Sequence, residues 1–367
     1  MKVCRPDYYK EFQCIGSACT DTCCAQWEIE VDETSADRYA GDTGPLAEDF
    51  RKYLVRKEDE NYFRLTAEKR CPFLNEANLC RMILTMGEDA LCDICREHPR
   101  FYHWFGSYTE VGLGLCCEEA GRLLFSRKDP IRLELLSDES EEIEEAETWE
   151  EDIWVELLLK ARKRVIQMLQ DRQLSLEMRV GNLLSFAELA QPYLDTEDEE
   201  GLERLLETWP DHMRNNSVKA CKPVEQEAAL HEMLTFYGKL ESLDQSWPSM
   251  METLKKQLPE LIRAFPVFMN EIKGTDRETD YEQLLVYFVF RYFMEAIYDS
   301  NLLSPLRFAV VSLQMILLLD LECRNRTGNF TMEDRIRIAK WYSKEIEYCP
   351  DNMELLAERL EVQGIWQ

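Results

Sequence analysis

From residue 153 onward, apolar positions recur at steps of three and four. Trp154, Leu157, Leu158, Ala161, Val165, Met168 and Leu169 draw one apolar stripe along a helix. The same spacing returns at Tyr281, Leu284, Leu285, Phe288, Val289, Tyr292, Phe293, Ala296 and Ile297. Val286, Tyr287 and Phe290 fill its other sides, which predicts a helix buried all round. Asp299-Ser300-Asn301 ends it, and Pro305 stands near the start of the next. The run from Phe308 to Leu319, interrupted by Ser312 and Gln314, is too short to span a bilayer and predicts a buried core helix. A short tail helix is expected near Asp351 to Val362. Before residue 138 this periodicity is missing, and Pro6, Pro45, Pro72, Pro99 and Pro130 punctuate the chain. No fixed repeat and no alternation of strands with helices is visible, which argues against Rossmann-type and TIM-barrel folds. The predicted fold is mainly α: an irregular cysteine-rich metal-cluster module followed by an α-helical bundle.

A boundary separates the two. Residues 138–152 read DESEEIEEAETWEED, a run of like charge that repels itself and reads as an acidic linker. The expected organisation is a cysteine-rich module over 1–137, the linker over 138–152 and a helical domain over 153–367. The whole chain carries 71 acidic against 43 basic residues, a formal net charge of −28. Such a surface repels phosphate backbones, so nucleic acid is not an expected partner, whereas a basic or lysine-bearing protein is attracted. The opening Met1-Lys2-Val3-Cys4-Arg5-Pro6-Asp7 has no apolar export segment. With no membrane span in view, a cytoplasmic location is expected.

In that compartment thiols stay reduced, so the 14 cysteines point to metal or catalysis rather than disulfides. Eleven lie at or before Cys117. They form four groups: Cys14-x4-Cys19-x3-Cys23-Cys24, then Cys71-Pro72 with Cys80, then Cys92-x2-Cys95, then Cys116-Cys117. Short spacings let two thiolates of one loop reach one centre, and separate groups then complete the coordination. Ten thiols exceed the needs of one zinc ion, and Cys-Pro is familiar from ferredoxin-type runs, which favours an iron–sulfur cluster. Zinc is the second reading, and disulfides or inert buried thiols the third. Cys4, Cys221, Cys323 and Cys349 are the expected inert ones. His98 and His103, near the third group, read as packed or solvent-facing side chains rather than ligands. Phe101, Tyr102, Trp104, Phe105 and Tyr108 either shield a cluster or form ordinary core.

The order F-x-C, C, CC, CPFL, a lone C and C-x2-C-R-x2-P-R resembles the cysteine-cluster proteins that chelate zinc or iron. Within them, the opening CRPDYYKEFQCIGSACTDTCCAQWEIEVD, the stretch REHPRFY and LLVYFVFRYFMEAIYDSNLLSPLRFAVVS resemble the flagellin lysine-N-methylase family. That resemblance touches both halves of the chain. It implies methyl transfer from S-adenosylmethionine to the ε-amino groups of surface lysines on flagellin. It also implies a [4Fe-4S] cluster, with ligand roles for Cys14, Cys19, Cys23, Cys24, Cys71, Cys80, Cys92 and Cys95, and with Cys116 and Cys117 as further positions. No catalytic or donor-binding residue carries over. One departure stands out. Radical enzymes using this donor show C-x3-C-x2-C, whereas here Cys19-x3-Cys23 is followed at once by Cys24.

A lysine amine attacks only when neutral, and its reference pKa is about 10.4, so a methylase site must desolvate it or supply a base. Tyr281, Tyr287, Arg291 and Tyr292 lie on the aromatic helix, where core packing accounts for the tyrosines. The reading from another class is a non-catalytic zinc or iron cysteine-cluster protein whose helices form a protein-binding scaffold. The two halves are expected to pack together, with the active cleft at their junction.

Overall fold

The computed structural model describes residues 2–20, 22–25, 27, 29–57, 60–137, 153–213 and 223–362. The acidic run 138–152 and Cys221 lie outside the described residues. Among the described residues, the N-terminal part holds seven strands: β1 (Lys2–Pro6), β2 (Ile29–Val31), β3 (Leu54–Lys57), β4 (Glu60–Phe63), β5 (Arg100–Phe105), β6 (Tyr108–Leu113) and β7 (Leu133–Ser137). It also holds the short helices α1 (Glu33–Ala40), α2 (Ala47–Tyr53), α3 (Arg81–Met86), α4 (Asp93–Glu97) and α5 (Glu118–Ser126). Two sheets result, in the orders β5-β6-β1-β7 and β2-β4-β3. In the larger, β1 runs parallel to β6 and antiparallel to β7. This regular framework is more than the irregular module expected. The strands are short, and β6 is buried at all six positions, so it shows no two-residue alternation.

The remainder is helical: α6 (Ile153–Leu169), α7 (Leu176–Asp195), α8 (Glu199–Met213), α9 (Pro223–Tyr237), α10 (Ser246–Ile272), α11 (Asp276–Tyr292), α12 (Ala296–Asp299), α13 (Leu303–Thr327), α14 (Met332–Ile346) and α15 (Pro350–Val362). The mainly α fold expected from the periodicity is therefore what the chain adopts. The stripe from Leu157 to Leu169 lies on α6, with Trp154 half-buried at its start. Helix α11 is buried on every side from Thr279 to Tyr292. Ser300 ends α12 in the left-handed region at φ +56°, and Pro305 sits in the first turn of α13. Thr331 and Asp334 form a reciprocal cap at the start of α14. Among the described residues, no helix is long and apolar enough to cross a membrane.

Two cores organise the molecule. A small one gathers Ile29, Val31, Tyr39, Phe50, Phe63, Phe73 and Met82 with Cys71 and Cys92. The stacked Tyr39 and Phe50 rings, 4.5 Å apart, centre it. The N-terminal part thus has an apolar core of its own, which its lack of long periodic segments concealed. The large core runs from Cys4, Tyr8, Phe105 and Leu115 through α5 into the helices up to Leu360. The larger sheet and α5 are therefore packed into the helical body, as expected of halves that dock on each other.

Candidate functional site

The thiols are brought together by backbone contacts between distant loops. Cys14 and Cys19 flank a single 3-10 turn, Gly16–Ala18, entered by Gly16 at φ +55°. Cys23 and Cys24 follow, their sulfurs 3.9 Å apart. The Cys24 carbonyl accepts the Cys71 N–H at 2.8 Å, and Ala25 bridges to Arg70, which pins the second group to the first. Leu74 bridges to Cys80, the residue before α3. Cys92 precedes α4 and Cys95 lies within it, so the pair shares one side of that helical turn. Cys71 and Cys92 are buried in the small core, and Cys24, Cys80 and Cys95 pack against it.

A second set lies toward the helical body. Burial pushes the Cys117 thiol up to about 11, and its thiol neighbours Cys23 and Cys14 add to this. Burial raises Cys19 to about 12, against the pull of Lys340, while Glu118, Cys117 and Cys23 push further. The Thr20 N–H and hydroxyl donate to Glu118 Oε2 at 3.0 and 2.5 Å, and Lys340 Nζ stands 3.7 Å from that oxygen. The loop from Cys14 to Cys24 is thereby held against the start of α5. Cys116 turns elsewhere: it is buried, with His98 Nε2 at 4.0 Å and the Gly114 carbonyl at 3.9 Å. Within the small core, Cys95 donates to Cys92, which lowers Cys92 and raises Cys95 well above a free thiol. Burial likewise raises Cys71 to about 12. Among the described residues, no three His, Cys, Asp or Glu side chains close tightly around one ion.

Burial drives both His98 and His103 down to about 4. Phe101 of β5 lies under the Arg291 guanidinium, and Phe105 stacks on Tyr298. These aromatics join the sheet to the helices. Cys4 and Cys323 are buried and Cys349 half-buried.

Where the segment after β6 meets the helices, a charged group appears that the sequence did not single out. Glu347, buried at the end of α14, accepts on Oε2 from Tyr287 at 2.8 Å, Tyr292 at 2.8 Å and Arg291 at 3.1 Å. Its Oε1 is buried with no hydrogen-bond partner. The Arg291 guanidinium lies 4.7 Å from the Phe101 ring, 5.1 Å from Tyr348 and 5.3 Å from Tyr292. The Tyr287 hydroxyl also takes the Leu115 N–H at 3.3 Å, next to Cys116. Gly114 has no room for a side chain, because a Cβ would run into the Tyr348 hydroxyl. The one signal for this group in the sequence is Arg291 within a run of aromatic residues. The tyrosines of α11 are core residues, as expected, but each spends its hydroxyl on a buried carboxylate; Tyr281 bonds Asp320 at 3.0 Å.

The model of the FliB lysine N-methylase C-terminal domain family matches residues 162–367, more than half of the chain. The flagellar biosynthetic protein FliU of Salmonella muenchen is 30% identical over 138 residues, which are 36% of this chain and 81% of FliU. The lysine-N-methylase of Salmonella choleraesuis (strain SC-B67) is 32% identical over 138 residues, 36% of this chain and 34% of that protein. The lysine-N-methylase of Salmonella typhimurium (strain LT2) is 30% identical over the same share of each chain. The match thus spans about a third of the length of these two curated lysine-N-methylases. No solved structure matches. On the match over its helical half, the chain belongs to the FliB lysine N-methylase family.

Proposed function

We propose that this protein methylates lysine ε-amino groups on flagellin, taking the methyl group from S-adenosylmethionine. The observation that carries the reading is the family match across residues 162–367. The net charge of −28 supports it, since it favours approach of a lysine-rich surface. In the transfer, the lone pair of a neutral lysine nitrogen attacks the methyl carbon. The carbon–sulfur bond breaks, its electron pair stays on sulfur, and S-adenosylhomocysteine leaves. The methylated ammonium then gives its proton to solvent. Because the reference pKa of lysine is about 10.4, the site must desolvate the amine or supply a base before attack.

The proposal includes a [4Fe-4S] cluster in the N-terminal part. The donor set is soft and all-thiol, which suits iron–sulfur chemistry. Thiolates around a four-iron cluster stand farther apart than those around one ion, so the lack of a tight single-ion set among the described residues is compatible with it. On this reading the ligands would come from Cys24, Cys71, Cys92 and Cys95, which lie in or against the small core with Cys80. Cys14, Cys19 and Cys117 lie toward the helical body, and Cys23, its sulfur 3.9 Å from that of Cys24, stands between the two groups. When bound, the cluster supplies a cross-link coupled to folding, and a redox-active centre.

The deciding experiment incubates anaerobically purified protein with flagellin and isotopically labelled S-adenosylmethionine, followed by mass analysis of the lysines. Labelled methyl-lysine is expected. Unmodified flagellin beside folded protein that retains iron and sulfide would refute the reading and leave a non-catalytic metal-cluster protein.

A further inference from the structure

Helix α14 turns two lysines toward the N-terminal part. Lys340 and Lys344 stand one helical turn apart, so they share a face, and they are only 7% and 5% exposed. Lysine is seldom buried, because an ammonium taken out of water is costly unless negative charge stands near it. Here that charge includes Glu118, whose Oε2 lies 3.7 Å from Lys340 Nζ.

Both lysines reach the loop that carries Cys19, Cys23 and Cys24. The Glu118 oxygen beside Lys340 also accepts the N–H of Thr20, the residue after Cys19. Lys344 Nζ lies 5.2 Å from the centre of the Trp27 ring, and the Trp27 indole N–H donates to the Cys23 carbonyl at 2.6 Å. The same ring packs on His98 and Tyr348, with centres 6.0 and 5.7 Å away. The Lys340 charge is felt at the sulfurs. It opposes the rise that burial imposes on the Cys19 thiol, and the rise that the Cys24 contact and burial impose on the Cys23 thiol. Cys23 in turn lies 3.9 Å, sulfur to sulfur, from Cys24 of the small core.

We propose that Lys340 and Lys344 raise the reduction potential of the N-terminal iron–sulfur cluster. A [4Fe-4S] centre held by thiolates is an anion, and the single electron it accepts from a reductant makes it more negative by one charge. A fixed cation nearby favours the more negative state, and a buried one is screened less than one in water. Glu118, a fixed anion on the same side, acts in the opposite sense. The two lysines act through space, from the helical half of the chain onto thiols of the other half. The proposal rests on the cluster reading and not on methyl transfer.

The test is a potentiometric titration of the intact, anaerobically prepared holoprotein with dithionite, followed by electron paramagnetic resonance of the reduced cluster. Iron and acid-labile sulfide are measured first on every variant. Lys340→Met keeps the stem and removes the charge. It should lower the equilibrium constant for reduction about tenfold, a shift of about 59 mV to more negative potential for one electron. That is the order expected of one charge about 10 Å away at an effective dielectric constant of about 20. Lys344→Met should shift the same way, and Lys340→Arg should hold the parent value. Glu118→Gln, which keeps an acceptor for Thr20, should shift the potential upward. Loosening of the junction would move all the variants in one direction, so opposite signs separate charge from structure. If Lys340→Met fails to fold, the sign of the Glu118→Gln shift decides the matter. An unchanged potential in Lys340→Met, or shifts of the same sign in Lys340→Met and Glu118→Gln, would overturn the proposal while leaving the cluster in place. Parent protein without iron and sulfide would overturn it together with the cluster reading.

Discussion

Arg162 and Glu110 join the N-terminal sheet to the helices, and breaking this pair measures how much the junction matters. Glu110 of β6 and Arg162 of α6 are 0% and 2% exposed. Arg162 Nη1 reaches Glu110 Oε2 at 2.7 Å while Nη2 pairs with Oε1. The Tyr108 hydroxyl donates to Glu110 at 2.8 Å and accepts from Arg162 at 3.2 Å, and the Phe290 carbonyl of α11 takes Arg162 at 3.3 Å. Replacing Arg162 with Met keeps the stem and strands a buried carboxylate, which destabilises by about 3–5 kcal/mol. Unfolding entropy is about 2.1 cal/mol/K per residue, so a cooperative unit of this chain's size loses about 4–6 °C in melting temperature. Differential scanning calorimetry at neutral pH, on protein prepared anaerobically, reads the shift. The double variant Glu110→Leu/Arg162→Met removes both charges and should recover much of the loss. A single variant that melts within about 1 °C of the parent, or a double variant no better than the single, refutes the view that the pair locks the halves together.

Further outcomes follow from the same structure. Residues 153–367 expressed alone should aggregate or melt lower than the intact protein, because they lose the sheet and α5 from their core; a fragment that melts cooperatively at the parent temperature and still methylates lysine contradicts this. Anaerobic protein should contain iron and acid-labile sulfide, and Cys71→Ser, Cys92→Ser or Cys95→Ser should lower both; stoichiometric zinc without sulfide in protein never exposed to air would end the cluster proposal. Gly114→Ala should destabilise by about 1–3 kcal/mol through its collision with Tyr348, read by denaturant titration. Burial holds His103 at about 4 while the unfolded chain titrates near 6.5, so unfolding takes up a proton between those values. Its stabilising contribution is complete above about pH 6.5 and lost as pH falls toward 4, and His103→Gln should make that part of the stability–pH curve shallower while the slope from His98, also held at about 4, remains.

The amino-acid sequence alone determined the helical half. The stripe of α6, the helix α11 buried on every side, the core helix α13 and the tail helix α15 were legible because a helix closes its hydrogen bonds within a few residues, so its burial is written at steps of three and four. It also determined which thiols exist and that eleven of the 14 lie at or before Cys117. It did not reveal the sheets. Lys2 pairs with Tyr108 and Ser137, partners more than 100 residues away, and a fully buried β6 leaves no alternation to read. Nor did it show Glu347, Glu110 and Arg162 as interior residues, since a lone charge reads as solvated surface until its buried partner is known. The cysteines illustrate the division best. Their spacing allowed any of the groups to share a centre, and only the Cys24–Cys71 backbone bond and the Thr20–Glu118 contact sort them into a group at the small core and a group toward the helical body. Those contacts join residues 47 and 98 positions apart, and such closure is chosen by the packing of the whole chain, not by any local preference of the loops that make it.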